Sequence, residues 1–125
     1  MGDRLDTDIE AACRADCDSL LVLTGVSRPA DVVTAPSGQR PTYIGETLNA
    51  LLEPYPQVTK ADGGFGCGGW TAVRDTSGQL ALKGTGTPID GLRALCAAAW
   101  SEPSAATREQ AAAALADLRA AGLPD

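Results

Sequence analysis

Apolar positions keep one rhythm up to about residue 56 and another beyond it. In "TDIEAACRAD", Ile9, Ala12 and Cys13 recur at i, i+3 and i+4, and Thr7 stands three residues before Glu10 as a capping box, which predicts a short helix over about residues 8–16. "SLLVLTG" is an unbroken apolar run closed by glycine, the pattern of a parallel strand covered on both faces. "SRPADVVTAP" suits a helix of one or two turns, with Ser27 as cap and Pro29 in its first turn. "PTYI" reads as a second short strand and "ETLNALLEP" as a short helix stopped before Pro54. Helices and strands alternate, so residues 1–56 are expected to form an α/β unit with short parallel strands.

The second rhythm follows "ADGGFGCGGW", where glycine is so dense that residues 57–69 are expected to be a flexible linker. "WTAVRDTSGQLALKG" predicts a β-hairpin: Trp70, Ala72 and Arg74 alternate with Thr71 and Val73, and Asp75–Gly78 make the turn. In "PIDGLRALCAAAW", Ile89, Leu92, Leu95, Cys96, Ala99 and Trp100 fall at helical spacing. An alanine-rich helix is expected from about Ser104 to Ala121, ending on Gly122 and Pro124. Residues 70–125 thus read as a small α+β module of ββαα order, with Trp70 and Trp100 in its core.

Composition narrows the chemistry. The formal charge is −6 and the ten basic residues are scattered, which argues against a nucleic-acid partner. Histidine is absent, removing His-based acid–base catalysis and most zinc sites. No apolar run approaches the ~20 residues of a membrane span, and the acidic start is no secretory leader, so a soluble cytoplasmic protein is expected. Cys13, Cys17, Cys67 and Cys96 form no C-x-x-C pair and read as small buried apolar residues. Aromatics are only 4%, and alanine fills much of the core.

The opening "MGDRLDTDIE" carries Asp3, Asp6, Asp8 and Glu10. Acids at a helix start complement its dipole and cap its first turn. The same spacing also suits magnesium, which takes hard oxygen ligands, few of them from protein. After a strand, Gly2 permits a tight turn and Asp3 offers a carboxylate at the carboxyl edge of the sheet. Asp8 at the next helix start can hold backbone N–H groups or steady the metal's surroundings.

"GDRLDTDI", "LLVLTGVS" and "RPTYIGETLNALL" occur in order over residues 2–52, and this stretch resembles the fourth signature motif and following segment of haloacid-dehalogenase (HAD) superfamily phosphatases of the NagD-like class. That class includes phosphoglycolate and glycerol-3-phosphate phosphatases. The resemblance implies a trailing fragment of a Rossmann-like core, with Asp3 as a Mg2+ ligand and Asp8 as second acid. It assigns no chemistry to Thr24–Gly25. The second half is similar to the acetyltransferase-like appendage of some actinobacterial glycerol-3-phosphate phosphatases.

The family attacks phosphate with an aspartate of a D-x-D motif, aided by a second acid, a Ser/Thr and a Lys. All precede the "GD" motif, as does the substrate-choosing cap, and Lys60 and Lys83 do not match the motif lysine. The resemblance therefore implies a truncated, split or miscalled gene, a GTG valine codon read as Met1 being one route. It implies no catalytic residue in these 125, weak Mg2+ binding, inactivity alone, and either docking onto a missing N-terminal half or self-association. The substrate-binding residues and the substrate are left open. Two other readings stand beside this one: a binding or regulatory module built on the ββαα half, and an acyl-CoA transferase. The last needs a phosphate-holding loop. Neither "GGFGCGG" nor "KGTGTP" has the Q/R-x-x-G-x-G/A form of such loops, although Lys83 stands before the glycines.

Overall fold

The structure, a computed structural model, describes residues 9, 11, 14–15, 20–23, 28–41, 43–45, 58–61, 64–101 and 105–123. Among these the strands fall into two sheets. In the first, β1 (Leu20–Val22) and β2 (Tyr43–Gly45) run parallel, with Leu21 opposite Ile44 and Val22 opposite Gly45. Between them lies α1 (Pro29–Val33), so the unit is a β-α-β crossover, as the alternating pattern predicts. Ile9, Leu21, Val32 and Val33 are fully buried. Ala11 and Arg14 are helical, in keeping with the expected first helix, whereas the helix expected over "ETLNALLEP" lies outside the described residues.

Helix α1 starts one residue later than a Ser27 cap would have it. Its cap position is Arg28, whose backbone N–H donates to Asp31 Oδ2 at 3.0 Å. A carboxylate three residues into the helix thus closes the first turn from inside. Ser27 lies outside the described residues.

The second sheet is an antiparallel meander of β3 (Thr59–Ala61), β4 (Gly64–Cys67), β5 (Trp70–Arg74) and β6 (Leu80–Gly84). The linker expected over 57–69 is corrected here, because most of it is strand, and the module is ββββαα rather than ββαα. Glycine serves strand pairing in this stretch. Cys67 pairs with Trp70 across Gly68 and Gly69, both at positive φ (57° and 94°), which is the two-residue turn that suits a twisted hairpin. At Gly64 a Cβ would stand 2.6 Å from the Ala72 carbonyl oxygen, so only glycine lets the strands approach this closely.

Trp70, Ala72, Leu80 and Leu82 bury one face of the meander under α2 (Pro88–Ala99) and α3 (Arg108–Ala120), while Thr71, Ala81 and Lys83 face outward. The predicted hairpin and the first of these helices stand where the pattern put them. Helix α3 begins at Arg108 and not near Ser104. Thr107 Oγ accepts from Gln110 N at 3.1 Å while Gln110 Oε1 accepts from Thr107 N at 2.9 Å, a reciprocal cap that fixes the start. At the far end Gly122 N donates to the Arg119 carbonyl and Leu123 N to that of Leu118, both at 3.0 Å, with Gly122 at φ 114°.

Candidate functional site

Asp3, Asp6, Asp8 and the Thr24–Gly25 pair all lie outside the described residues, as do Cys13 and Cys17. Among the described residues no three His, Cys, Asp or Glu side chains converge on a point that could hold a metal. The metal expectation therefore rests on the donor chemistry of Asp3 and Asp8, whose carboxylate oxygens are the hard ligands Mg2+ takes. Within the described region, the dense polar chemistry lies where the two sheets meet.

There, α2 presents Arg93, only 9% exposed, to the first sheet. Its Nε and Nη2 donate to the Ile44 carbonyl at 3.1 and 2.8 Å, and its Nη1 to Asp90 Oδ1 at 2.9 Å. Asp90 is held in turn by Thr87 Oγ1, which donates to its Oδ2 at 2.7 Å. Two further links run between the sheets' helices. Trp100 Nε1 donates to the Val32 carbonyl at 3.2 Å, and Arg108 pairs with Asp31 at 2.7 Å. Arg40 donates to the Ala35 carbonyl at 3.2 Å. Burial, and then the nearby Arg74 charge, lower its affinity for its proton. Arg74 donates to the Ala99 carbonyl at 2.7 Å.

Sequence reasoning did not single out Asp90 or Arg93. The signal was a charge on an apolar face: Arg93 stands four residues after Ile89 and three before Cys96, on the stripe assigned to the core.

The thiols expected to be structural are so for Cys67 and Cys96, which are buried and free. Burial pushes the Cys67 thiol up to about 11, with the Asp90 carboxylate 3.7 Å away adding to the rise. Burial alone raises Cys96 well above its ordinary value. Neither is a nucleophile in this state, because the thiolate is disfavoured.

The "KGTGTP" glycines serve close contact. A Cβ on Gly84 would collide with the Gly69 carbonyl oxygen, and one on Gly86 with that of Gly68. The loop is pinned by Trp70 Nε1 donating to the Thr87 carbonyl at 3.0 Å. Asp90 occupies the first turn of α2, and Lys83 is exposed. An anion would meet the Asp90 carboxylate there, so the arrangement favours tight backbone contact over phosphate binding.

A groove of about 280 Å³ lies between the β5–β6 turn and the start of α3. Its polar groups already bond one another. Asp75 Oδ1 accepts from Ser77 Oγ, Ser77 N and Gln79 N, which hold its carboxyl below the usual range, the Ser77 hydroxyl most of all. Gln110 Nε2 donates to the Ser77 carbonyl at 3.2 Å.

An α/β unit with parallel strands, joined to an antiparallel sheet under two helices, is the architecture that the comparisons with known proteins match in two parts. The family described as HAD-hydrolase-like matches residues 1–51, and the GCN5-related N-acetyltransferase like domain matches residues 67–123. The D-glycerol 3-phosphate phosphatase of Mycobacterium tuberculosis is 57% identical over 51 residues, which are 41% of this chain and 14% of that protein. Phosphoglycolate phosphatase 2 of Arabidopsis thaliana is 38% identical over 53 residues, 42% of this chain and 18% of that one. The crystal structure of glycerol phosphate phosphatase from Mycobacterium tuberculosis in complex with magnesium superposes with a TM-score of 0.60 at 31% identity. That superposition covers 94% of this chain and 36% of the crystallised one. The same enzyme in complex with calcium gives a TM-score of 0.57. Residues 1–51 are thus HAD-hydrolase-like and residues 67–123 acetyltransferase-like, and the matched stretches cover under a fifth of the length of these curated relatives. Among the described residues no helix is long and apolar enough to cross a membrane.

Proposed function

We propose that this chain supplies the metal-binding acidic loop of a Mg2+-dependent phosphomonoester phosphatase acting on a small phosphate ester of the glycerol-3-phosphate or phosphoglycolate type. The observation that carries this reading is the 57% identity with a glycerol 3-phosphate phosphatase, together with a family match over residues 1–51 that includes "GDRLDTDI". In this reading Asp3 is the metal ligand and Asp8 the second acid or the group that orients it. Bound Mg2+ supplies charge neutralisation at phosphoryl oxygens. Asp3 contributes the anionic oxygen that attracts the ion. The nucleophilic aspartate comes from residues outside this sequence, on a preceding segment or a second, cytoplasmic chain. These 125 residues alone are therefore inactive and bind Mg2+ weakly. The acetyltransferase-like region is non-catalytic, a reading supported by Asp90 in the first turn of α2 and by the packed Gly84–Gly86 loop.

The test is hydrolysis of an aryl phosphate with and without Mg2+. The chain alone should match its Asp3→Asn variant at background. A chimaera placing the preceding segment of the homologous glycerol phosphate phosphatase before Gly2 should hydrolyse with Mg2+ and lose that activity in Asp3→Asn. Turnover by the chain alone, or a chimaera indifferent to Asp3→Asn, would overturn the reading.

A further inference from the structure

Strand polarity decides what Arg93 does. The Gly45 carbonyl accepts from Leu23 N at 3.0 Å, so the polar groups of Gly45 face β1. Successive carbonyls alternate sides along a strand, and therefore the Ile44 carbonyl faces the outer edge of β2. Among the described residues β2 pairs with β1 only, on its other side. Two donors of one guanidinium meet that outward carbonyl, and the third points to Asp90, itself fixed by Thr87. The planar fork of arginine delivers two parallel N–H groups to one acceptor region, and lysine cannot reproduce it. A buried cation must have such partners, because leaving it unpaired is costly.

We propose that the acetyltransferase-like region serves as an intramolecular partner that covers the outward Ile44 carbonyl of β2, with Arg93 as its latch. The docking face is the side of α2 carrying Arg93, together with Trp100 just past the helix's end. Its partner is the backbone of the phosphatase region, read at two carbonyls, Ile44 and Val32. Both contacts are side chain to main chain, so the face recognises the shape of β2 and α1 more than their side chains. An open strand edge invites pairing with other chains. On this edge a helix-borne guanidinium meets the Ile44 carbonyl. This role needs no acyl transfer and does not depend on phosphatase activity.

Hydrogen exchange read by mass spectrometry on the full 125-residue chain tests the latch. Arg93→Lys keeps the charge and most of the stem but loses the fork. Amides of residues 29–33 and 43–45 should exchange about tenfold faster or more, while those of 70–74 and 80–84 stay within about twofold of wild type. Arg93→Met should give the same pattern with a larger effect. Asp90→Asn should give a weaker form of it, because the guanidinium remains but loses its orienting carboxylate. Unchanged exchange at 43–45 overturns the proposal. Equal acceleration in both sets overturns it too, since it would make Arg93 a core residue of its own region and not a link.

Discussion

Among the described residues, two strands of three residues in the HAD-like region pair through a helical crossover, whereas the appendage lays four strands side by side in chain order. The first arrangement brings Leu20 to Tyr43 across the crossover; the second closes Cys67 on Trp70 across two glycines. Loop closure costs more for the distant pairing, so the parallel unit needs outside support. It receives that support from the appendage at the Ile44 and Val32 carbonyls and at Asp31. The meander draws its cover from α2 and α3, which follow it in sequence. The lesson is that the region carrying the candidate chemistry leans on a region built largely from local contacts.

The change expected to break the comparison most severely is Gly84→Ala. Its φ of 116° excludes most side chains, and its Cβ would strike the Gly69 carbonyl, with Trp70 Cα at 3.0 Å. A loss of roughly 3–5 kcal/mol is expected, read as a fall in the urea midpoint. Because the appendage supports both sheets, the parallel unit should melt with it. A variant that keeps its midpoint would remove the argument for backbone contact in this loop.

Next come paired core truncations, one per region. Leu92 and Leu21 are both fully buried, and either change to alanine should cost roughly 2–5 kcal/mol. The difference lies in where the loss appears. Leu92→Ala should raise exchange in both sheets, since α2 carries the meander core and the Arg93 latch together. Leu21→Ala should raise it at 29–33 and 43–45 and leave 70–84 protected. Loss of protection in the meander after Leu21→Ala would mean the support runs both ways.

Much of this was legible in the residues, and the failures have physical causes. Alternation from Trp70 to Arg74 and the Asp75–Gly78 turn gave the hairpin directly, because period-two burial and turn chemistry are local. "GFGCGGW" misled because glycine was counted as flexibility, when a Gly-Gly pair between two short runs is also the sequence of a tight hairpin turn. The start of α3 was set by Thr107 and Gln110 acting together, a pairing masked by the preceding Pro-Ser-Ala run. Arg93 was invisible in its role because its acceptor is a backbone carbonyl 49 residues away, and a carbonyl has no sequence signature. For the candidate metal loop the reverse holds. Asp3 and Asp8 announce themselves by spacing and family match, and their geometry lies outside the described residues.

Titration offers a milder probe of the appendage. Cys67 is buried, and its thiol is raised to about 11 by burial first and the Asp90 charge second. An unfolded cysteine ionises near 9, so between these values the folded state holds a proton that the unfolded state has released. Stability should therefore be unaffected by this group below about pH 9 and fall as pH climbs toward 11. Comparing urea midpoints of wild type and Cys67→Ala across that window isolates the contribution. Parallel declines would show that Cys67 is not the source.

The smallest effect is expected at the exposed edge of the same junction. Arg108 reaches Asp31 Oδ1 at 2.7 Å, but the two side chains are 67% and 34% exposed. Water and salt screen such a pair, and holding two long side chains in one geometry costs entropy, so Arg108→Ala should cost at most about 1 kcal/mol. That loss should shrink further in high salt. Asp31→Ala should cost more than Arg108→Ala, because Asp31 also accepts the Arg28 N–H that starts α1. Urea midpoints of both variants in low and high salt separate the two roles of that carboxylate. A salt-sensitive part common to both variants belongs to the ion pair, and a salt-insensitive excess confined to Asp31→Ala belongs to the cap. If the two variants lost equal stability at both salt concentrations, the cap would contribute nothing, and α1 would be held in place from the appendage side through Trp100 and the carbonyl of Val32.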